Sequence, residues 1–213
     1  MKEFFKSLYF RAFCILLVVF LIYSSILIKF LGQITSFDLS LLHWVRDVFS
    51  FLPTCVVVAI TDFGFSSWFL PAYTFAFGYL TASKKYITLA GMSCMYLCFA
   101  PAIHVLKDIF QRERPDVLLH RVAETGFSFP SGHSTTAFYI AVLGIFLVSK
   151  FVGNNIIKNI LITLIALWAP IVLFTRVWLG VHYPSDVLGG ALYGSLLACF
   201  VITIIQTEYQ ESK

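Results

Sequence analysis

Three short segments carry residues whose types and spacing could do chemistry. The first is Lys107-Asp108-Ile109-Phe110-Gln111-Arg112-Glu113-Arg114-Pro115, the second is Pro130-Ser131-Gly132-His133, and the third runs from Arg176 through His182 to Asp186. Lys107, Arg114 and Arg176 are cations, and the planar fork of arginine N–H donors matches phosphate oxygens. Gly132 allows a backbone to approach a ligand closely, and a helix starting there aims its free N–H groups at the same spot, which suits an anion. His133 and His182 supply two imidazoles. Asp186, four residues after His182, is close enough in sequence to accept a hydrogen bond from its ring and fix the tautomer. Cations, an amide nest, two imidazoles and a carboxylate are the parts required for phosphoryl transfer without a metal.

Taken singly, each part has an ordinary structural explanation. Basic residues at a membrane surface anchor lipid headgroups, a Ser-Gly pair before a helix is a turn with an N-cap, and a His four residues before an Asp is a common structural pairing. The chemical reading rests on finding all of them together, at ends of elements that topology can bring to one face.

Those elements are membrane spans. Of the 213 residues, 59% are hydrophobic and 12% charged, and the mean hydropathy is +0.87. Soluble domains run at roughly 45–50% apolar and about 25% charged, and disorder needs the opposite composition. The apolar stretches are long and unbroken, which favours helices over the alternating strands of an outer-membrane barrel. An all-α integral membrane protein is expected, with spans at Ala12–Leu31, Phe65–Ala82, Tyr86–Leu106, His133–Ser149, Ile156–Phe174 and Asp186–Ile205. Lys2, Lys6 and Arg11 before the first span resemble the start of a secretory signal, but the apolar run is too long and lacks a small-x-small cleavage site. Residues 37–60 mix Asp38, His43, Arg46 and Asp47 with Leu, Trp and Phe, and predict an additional interfacial or re-entrant helix. One domain is expected over 1–213, with its motif-bearing core at 107–186. The five cysteines all lie in apolar stretches and read as small buried thiols, although Cys94 and Cys98 share a helix face.

With the N-terminus inside, eight basic residues fall on the inner face (Lys2, Lys6, Arg11, Lys84, Lys85, Lys150, Lys158, Lys213). Seven fall on the other (Lys29, Arg46, Lys107, Arg112, Arg114, Arg121, Arg176). Assigning Lys107, Arg114 and Arg176 to a binding site leaves eight against four, which satisfies the positive-inside rule.

The three segments resemble the signature of the type-2 phosphatidic acid phosphatase superfamily: Lys, six residues, Arg-Pro; then Pro-Ser-Gly-His; then Ser-Arg, five residues, His, three residues, Asp. Lys107 with Arg114-Pro115 meets the first, Pro130 to His133 the second, and Arg176, His182 and Asp186 the third. Thr175 stands where the family usually has Ser and keeps the hydroxyl. The resemblance implies a nucleophilic His182 oriented by Asp186, and His133 as the acid and base at the leaving group and water. It also implies Lys107, Arg114, Arg176, Ser131 and Gly132 as holders of the phosphoryl oxygens, with no metal or other cofactor. It points to the membrane branch that includes phosphatidylglycerophosphatases and undecaprenyl-diphosphatases, since the related haloperoxidases are soluble.

Hydrolysis of an isoprenoid diphosphate such as undecaprenyl diphosphate, of phosphatidylglycerophosphate or of phosphatidate is therefore expected. The expected setting is a multi-pass bacterial inner membrane, with cytoplasmic termini and the site on the extracytoplasmic side. The partners implied are a lipid phosphate and the bilayer, with no nucleic acid and no obligate protein partner. Two rivals use the same residues. A phosphotransferase would pass the group from His182 to another acceptor. A transporter would only bind phosphate, but transporters place such groups near the midplane on broken, repeated helices. Among other polar residues, Asp62 is either functional or a helix cap. His104 reads as a hydrogen-bonded interior histidine. Arg112, Glu113, His120, Arg121 and Glu124 line a loop that either reads the substrate beyond its first phosphate or is simply solvated.

Overall fold

A computed structural model describes residues 7–63 and 101–211. Among these residues all regular structure is helical: α1 (Leu8–Lys29), α2 (Leu31–Val48), α3 (Thr54–Phe63), α4 (101–110), a 3₁₀ turn (Val117–Leu119), α5 (Gly132–Phe151), α6 (Asn155–Trp178) and α7 (Pro184–Glu211). Among the described residues four helices are long and apolar enough to cross a bilayer: α1, α5, α6 and residues Pro184–Tyr209 of α7. Helices suit that solvent because every backbone group is satisfied within the segment. Their starts carry explicit caps. Ser7 accepts from the Tyr9 amide, and Asn154 accepts from those of Ile156 and Ile157. The expected span at Phe65–Ala82 lies outside the described residues, as does all but the end of the span at Tyr86–Leu106. Cys94 and Cys98 lie there too.

The expected helix over 37–60 is two helices. α2 begins one residue after α1 and stops at Val48, and α3 starts at Thr54. Pro53 is the physical reason: it has no N–H to donate to a helix arriving from before it, whereas its carbonyl accepts from Val56 and Val57 in the first turn of α3. Nor is α2 only a surface helix, because Asp38 and Leu42 are buried in the protein.

α7 is the central helix. Of its most apolar window 61% is buried, against 17% for α1, which turns Ile15, Val18, Leu21 and Ile22 outward. α5 lies directly against α7. A Cβ added at Gly194 would sit 2.1 Å from the Thr135 carbonyl oxygen, and one at Gly190 would sit 2.5 Å from that of Ser131. The two backbones touch where only glycine leaves room.

The two ends of the bundle differ. At one end Ser7 donates to Gln206 at 2.9 Å, Tyr9 packs edge-on against Phe146, and Lys150 lies over the Tyr209 ring. The start of α1 and the ends of α5 and α7 thus share a face. At the other end Tyr23 donates to the Ser185 carbonyl at 2.8 Å. Here the start of α5, the end of α6 and the start of α7 converge, above a core of Leu42, Val57, Trp178, Leu179 and Val181. All three sequence motifs are at this second end.

Candidate active site

The starts of α5 and α7 are stapled together. Ser131 caps α5, accepting from the amide and hydroxyl of Ser134 at 3.5 and 3.1 Å, while its own N–H donates to the Asp186 carbonyl at 3.2 Å. The Ser131 amide, expected to face a ligand, is therefore committed to holding α7. Gly132 remains open: among the described residues beyond its chain neighbours and its own helix backbone, nothing lies within 4 Å of where its Cβ would be. α7 opens on Pro184, a residue pre-set for a first helical position, and the Asp186 carboxylate reaches back to the Tyr183 N–H at 2.9 Å.

His182 and Asp186 are both buried, but they do not meet as expected. His182 Nδ1 is 3.8 Å from Asp186 Oδ2, beyond hydrogen-bond range. Ser128 Oγ stands between them, 3.2 Å from His182 Nδ1 and 2.5 Å from Asp186 Oδ2. The opposite oxygen, Oδ1, accepts from Arg112 Nη1 at 2.6 Å. Each carboxylate oxygen is already engaged, so the ring does not close on it directly.

Arg112 is not a substrate-reading or solvated loop residue. Only 4% exposed, it bonds Asp186 and Ser185 through Nη1, both at 2.6 Å, and Asp38 at 2.8 Å and Thr35 at 3.2 Å through Nη2. Its guanidinium also lies over the Tyr183 ring. Asp38 accepts from the Ser185 amide at 3.0 Å and from the Ser185 hydroxyl. Helix α2 is thereby tied to the base of the third motif. Sequence reading missed Ser128 and Asp38 altogether as site residues.

The expected cations converge on the other side of His182. Arg114 Nη1 lies 3.2 Å from His182 Nε2 and donates to the Val181 carbonyl at 2.9 Å, while its other nitrogens bond the carbonyls of Thr125 and Gly126. A guanidinium can only donate, so His182 Nε2 presents its lone pair here. Arg176 is 2% exposed, bonds Glu124 and reaches Thr61 at 3.4 Å, and its Nε has no partner among the described residues. Glu124 bridges the two arginines, with Oε2 3.5 Å from Arg114 Nη2. Lys107 donates to the Phe127 carbonyl at 2.8 Å. Half-buried His133 is the second residue of α5, with Arg176, His182, Arg114 and Lys107 as its electrostatic neighbours. Ser131, Gly132, His133, His182, Asp186, Lys107, Arg114 and Arg176 thus occupy one end of the bundle.

Burial holds the His182 imidazole neutral well below its ordinary range, and Arg114, Arg176 and Lys107 add to this, against a smaller opposing hydrogen bond from the Ser128 backbone. Burial also pushes the Lys107 ammonium down to about 8, helped by Arg114 and Arg176 and opposed by Glu124 and Asp186.

The remaining candidates are peripheral. Asp62 is exposed near the end of α3, within electrostatic reach of Arg176. His104 is exposed rather than interior, and of the described cysteines Cys14 and Cys55 are exposed while Cys199 is buried as expected. His120 bonds the Pro115 carbonyl at 3.0 Å, and Arg121 stacks on Trp178 at 3.8 Å while its amide bonds the Leu179 carbonyl. The turn that follows Trp178 depends on Gly180, whose φ of +75° and 2.1 Å clearance to the Leu119 oxygen exclude any side chain. Glu113 is exposed.

A neutral imidazole with its lone pair turned toward a cluster of cations, beside a second imidazole at a helix start, can attack phosphorus and manage a proton. Among known proteins, the family model described as PAP2 superfamily matches residues 87–210. This chain belongs to the PAP2 superfamily. Among PAP2 relatives it is similar to phosphatidylglycerophosphatase B of Bacillus subtilis, 35% identical over 147 residues that make up 67% of this chain and 70% of that protein. It is also similar to lipid A 4'-phosphatase of Bacteroides thetaiotaomicron, 42% identical over 69 residues, 32% of this chain and 27% of that one. The crystal structure of the transmembrane PAP2-type phosphatidylglycerolphosphate phosphatase from Bacillus subtilis superimposes with a TM-score of 0.74 at 28% identity, covering 92% of this chain and 96% of that one. This PAP2 protein is a multi-pass membrane phosphatase acting on lipid phosphates.

Proposed function

We propose that this phosphatase cleaves an isoprenoid diphosphate such as undecaprenyl diphosphate, phosphatidylglycerophosphate or phosphatidate through a phosphohistidine on His182, without a metal or other cofactor. The observation that carries this reading is the Glu124 carboxylate bridging Arg176 and Arg114, the latter 3.2 Å from His182 Nε2. An anion already rests on the guanidinium pair beside a lone-pair nitrogen. A substrate phosphate takes that place, with Glu124 displaced and Lys107, the Ser131 hydroxyl and the Gly132 amide adding donors.

His182 Nε2 attacks phosphorus, the bond to the leaving oxygen breaks with its electron pair, and His133 delivers the proton that oxygen needs. Water then attacks the phosphohistidine and His133 takes its proton. The Nε2–P bond returns its electrons to the ring, and phosphate leaves. Asp186 bears on the ring only through Ser128, which stands between them. The loops are too short for a domain that recognises a large headgroup, so the lipid reaches the site laterally from the bilayer. The start of α1 and the last turns of α7 lie at the bundle face opposite the site. That arrangement supports a site on the extracytoplasmic side of a bacterial inner membrane whose cytoplasmic face carries the termini.

The test is phosphate release by detergent-purified protein with EDTA present, comparing wild type with His182→Ala on polyprenyl diphosphate, phosphatidylglycerophosphate and phosphatidate. The expected result is release by wild type that falls by a hundredfold or more, roughly the scale of a lost nucleophile, in the variant. Equal release by both would overturn the assignment. Phosphate appearing only on an added alcohol acceptor would make the protein a phosphotransferase.

A further inference from the structure

The hydroxyl of Ser128 is fully buried between a carboxylate and an imidazole, and it has one proton to give. Asp186 Oδ2, at 2.5 Å, belongs to an ionised carboxylate held by Arg112 and can only accept. The Ser128 proton therefore lies toward Asp186. The Ser128 oxygen is left to accept at 3.2 Å from His182 Nδ1, which must carry the ring proton. On the other side of the ring Arg114 independently demands a lone pair on Nε2. Both neighbours specify the same tautomer.

We propose that Ser128 is a positioning residue that relays the Asp186 carboxylate to His182, fixing the Nδ1–H tautomer and passing on negative charge as Nε2 becomes bonded to phosphorus. The relay deepens the phosphohistidine reading and rests on it. When Nε2 donates its pair to phosphorus the ring becomes cationic, and its Nδ1–H bond to Ser128 strengthens. Ser128 polarises in turn toward Asp186, so the compensation crosses a 3.8 Å gap that no direct hydrogen bond spans. Two carboxylates, Asp186 and Asp38, share the single Arg112 guanidinium. That trio retains one net negative charge to offset the imidazolium. The backbone of Ser128 also favours the charged ring and survives substitution of the side chain, so any loss in an alanine variant belongs to the hydroxyl.

The experiment combines kinetics with spectroscopy on the full chain in detergent. Ser128→Ala should lower kcat about ten- to hundredfold, the scale of a misaligned reacting group, with KM changed by less than about threefold. Ser128→Thr, which restores a hydroxyl, should recover most of that loss. In wild type labelled with ¹⁵N-imidazole histidine, with His182 assigned through His182→Asn, the Nδ1 resonance should report a protonated nitrogen and Nε2 a bare one. Wild-type kcat in folded Ser128→Ala overturns the relay. So does an Nε2–H tautomer at His182 in the wild-type protein, a readout that holds even if the alanine variant fails to fold. Activity surviving in His182→Ala would instead sink the phosphohistidine reading itself, whereas an inactive His182→Ala beside a fully active Ser128→Ala would remove the relay alone.

Discussion

Arg112 and Asp38, 74 residues apart in sequence, form a buried ion pair at 2.8 Å that joins α2 to the carboxylate beneath His182. Without Asp38, Arg112 keeps Asp186 as its partner at 2.6 Å, but the Ser185 amide loses its acceptor, and an unsatisfied buried donor costs about 1–3 kcal/mol. Asp38→Ala is therefore expected to lower the thermal unfolding midpoint in detergent by several degrees and to reduce kcat, although Asp38 touches neither histidine. An unfolding midpoint equal to wild type would show that the pair does not anchor the site.

Lys107 is expected to set the alkaline limit of activity. Its ammonium loses its proton at about 8 in the free protein, so the charge that helps hold a phosphate is present below that pH and lost above it. The value of kcat/KM, which reports the free enzyme, should fall about tenfold per pH unit above the limb. Lys107→Arg should remove this limb, because arginine stays charged. On the acid side, His182 remains neutral below its ordinary range, and no loss of nucleophile is expected near pH 6.5. A flat profile through pH 9.5 in wild type would contradict the role given to Lys107.

His133 is expected to serve both half-reactions, as acid and then as base. His133→Ala should lower release from a lipid phosphate by about 10²–10⁴-fold, the range of general acid–base catalysis. With an aryl phosphate whose leaving group needs no proton, only the second half-reaction should suffer. The variant should then accumulate acid-labile, base-stable phosphoprotein, detectable with ³²P-labelled substrate. Absence of any such species would argue against His133 as the group that activates water.

At Gly190 and Gly194 there is no room for even one methyl group. Alanine at either position should force α5 and α7 apart at a cost of about 1–3 kcal/mol and lower the unfolding midpoint. Gly190→Ala should also lower kcat, since its clash is with the Ser131 carbonyl. Gly132→Ala meets open space and should unfold at nearly the wild-type temperature, so any loss of activity there reflects an obstructed ligand.

The parts of this molecule that were legible in sequence are those encoded locally. Apolar runs of bilayer length marked α1, α5, α6 and α7, with ends displaced by only a few residues because caps such as Ser7 and Asn154 lie just outside the apolar stretch. Lys107, Arg114, His133, Arg176, His182 and Asp186 stand at fixed spacings around turns, and helix ends brought them together. The break at Pro53 was also written locally, but the apolar residues around it hid it. Ser128 and Asp38 left no such trace. Their partners are distant in sequence, Ser128 reaching Asp186 across 58 residues and Asp38 reaching Arg112 across 74, and an isolated serine or a carboxylate on an amphipathic stretch looks like any other. Arg112 was visible as a charge, but its burial depends on α2 folding over it.

The backbone contact of α5 with α7 has a mechanical consequence for catalysis. His133 rides on the first helix and His182 immediately precedes the second, and helices touching at Gly190 and Gly194 cannot slide or rotate past one another without a clash of main-chain atoms. The two imidazoles are mounted on a single strut. Accommodation of differently shaped lipids is then expected to fall to the substrate, whose phosphate must come to a pair of rings already in position.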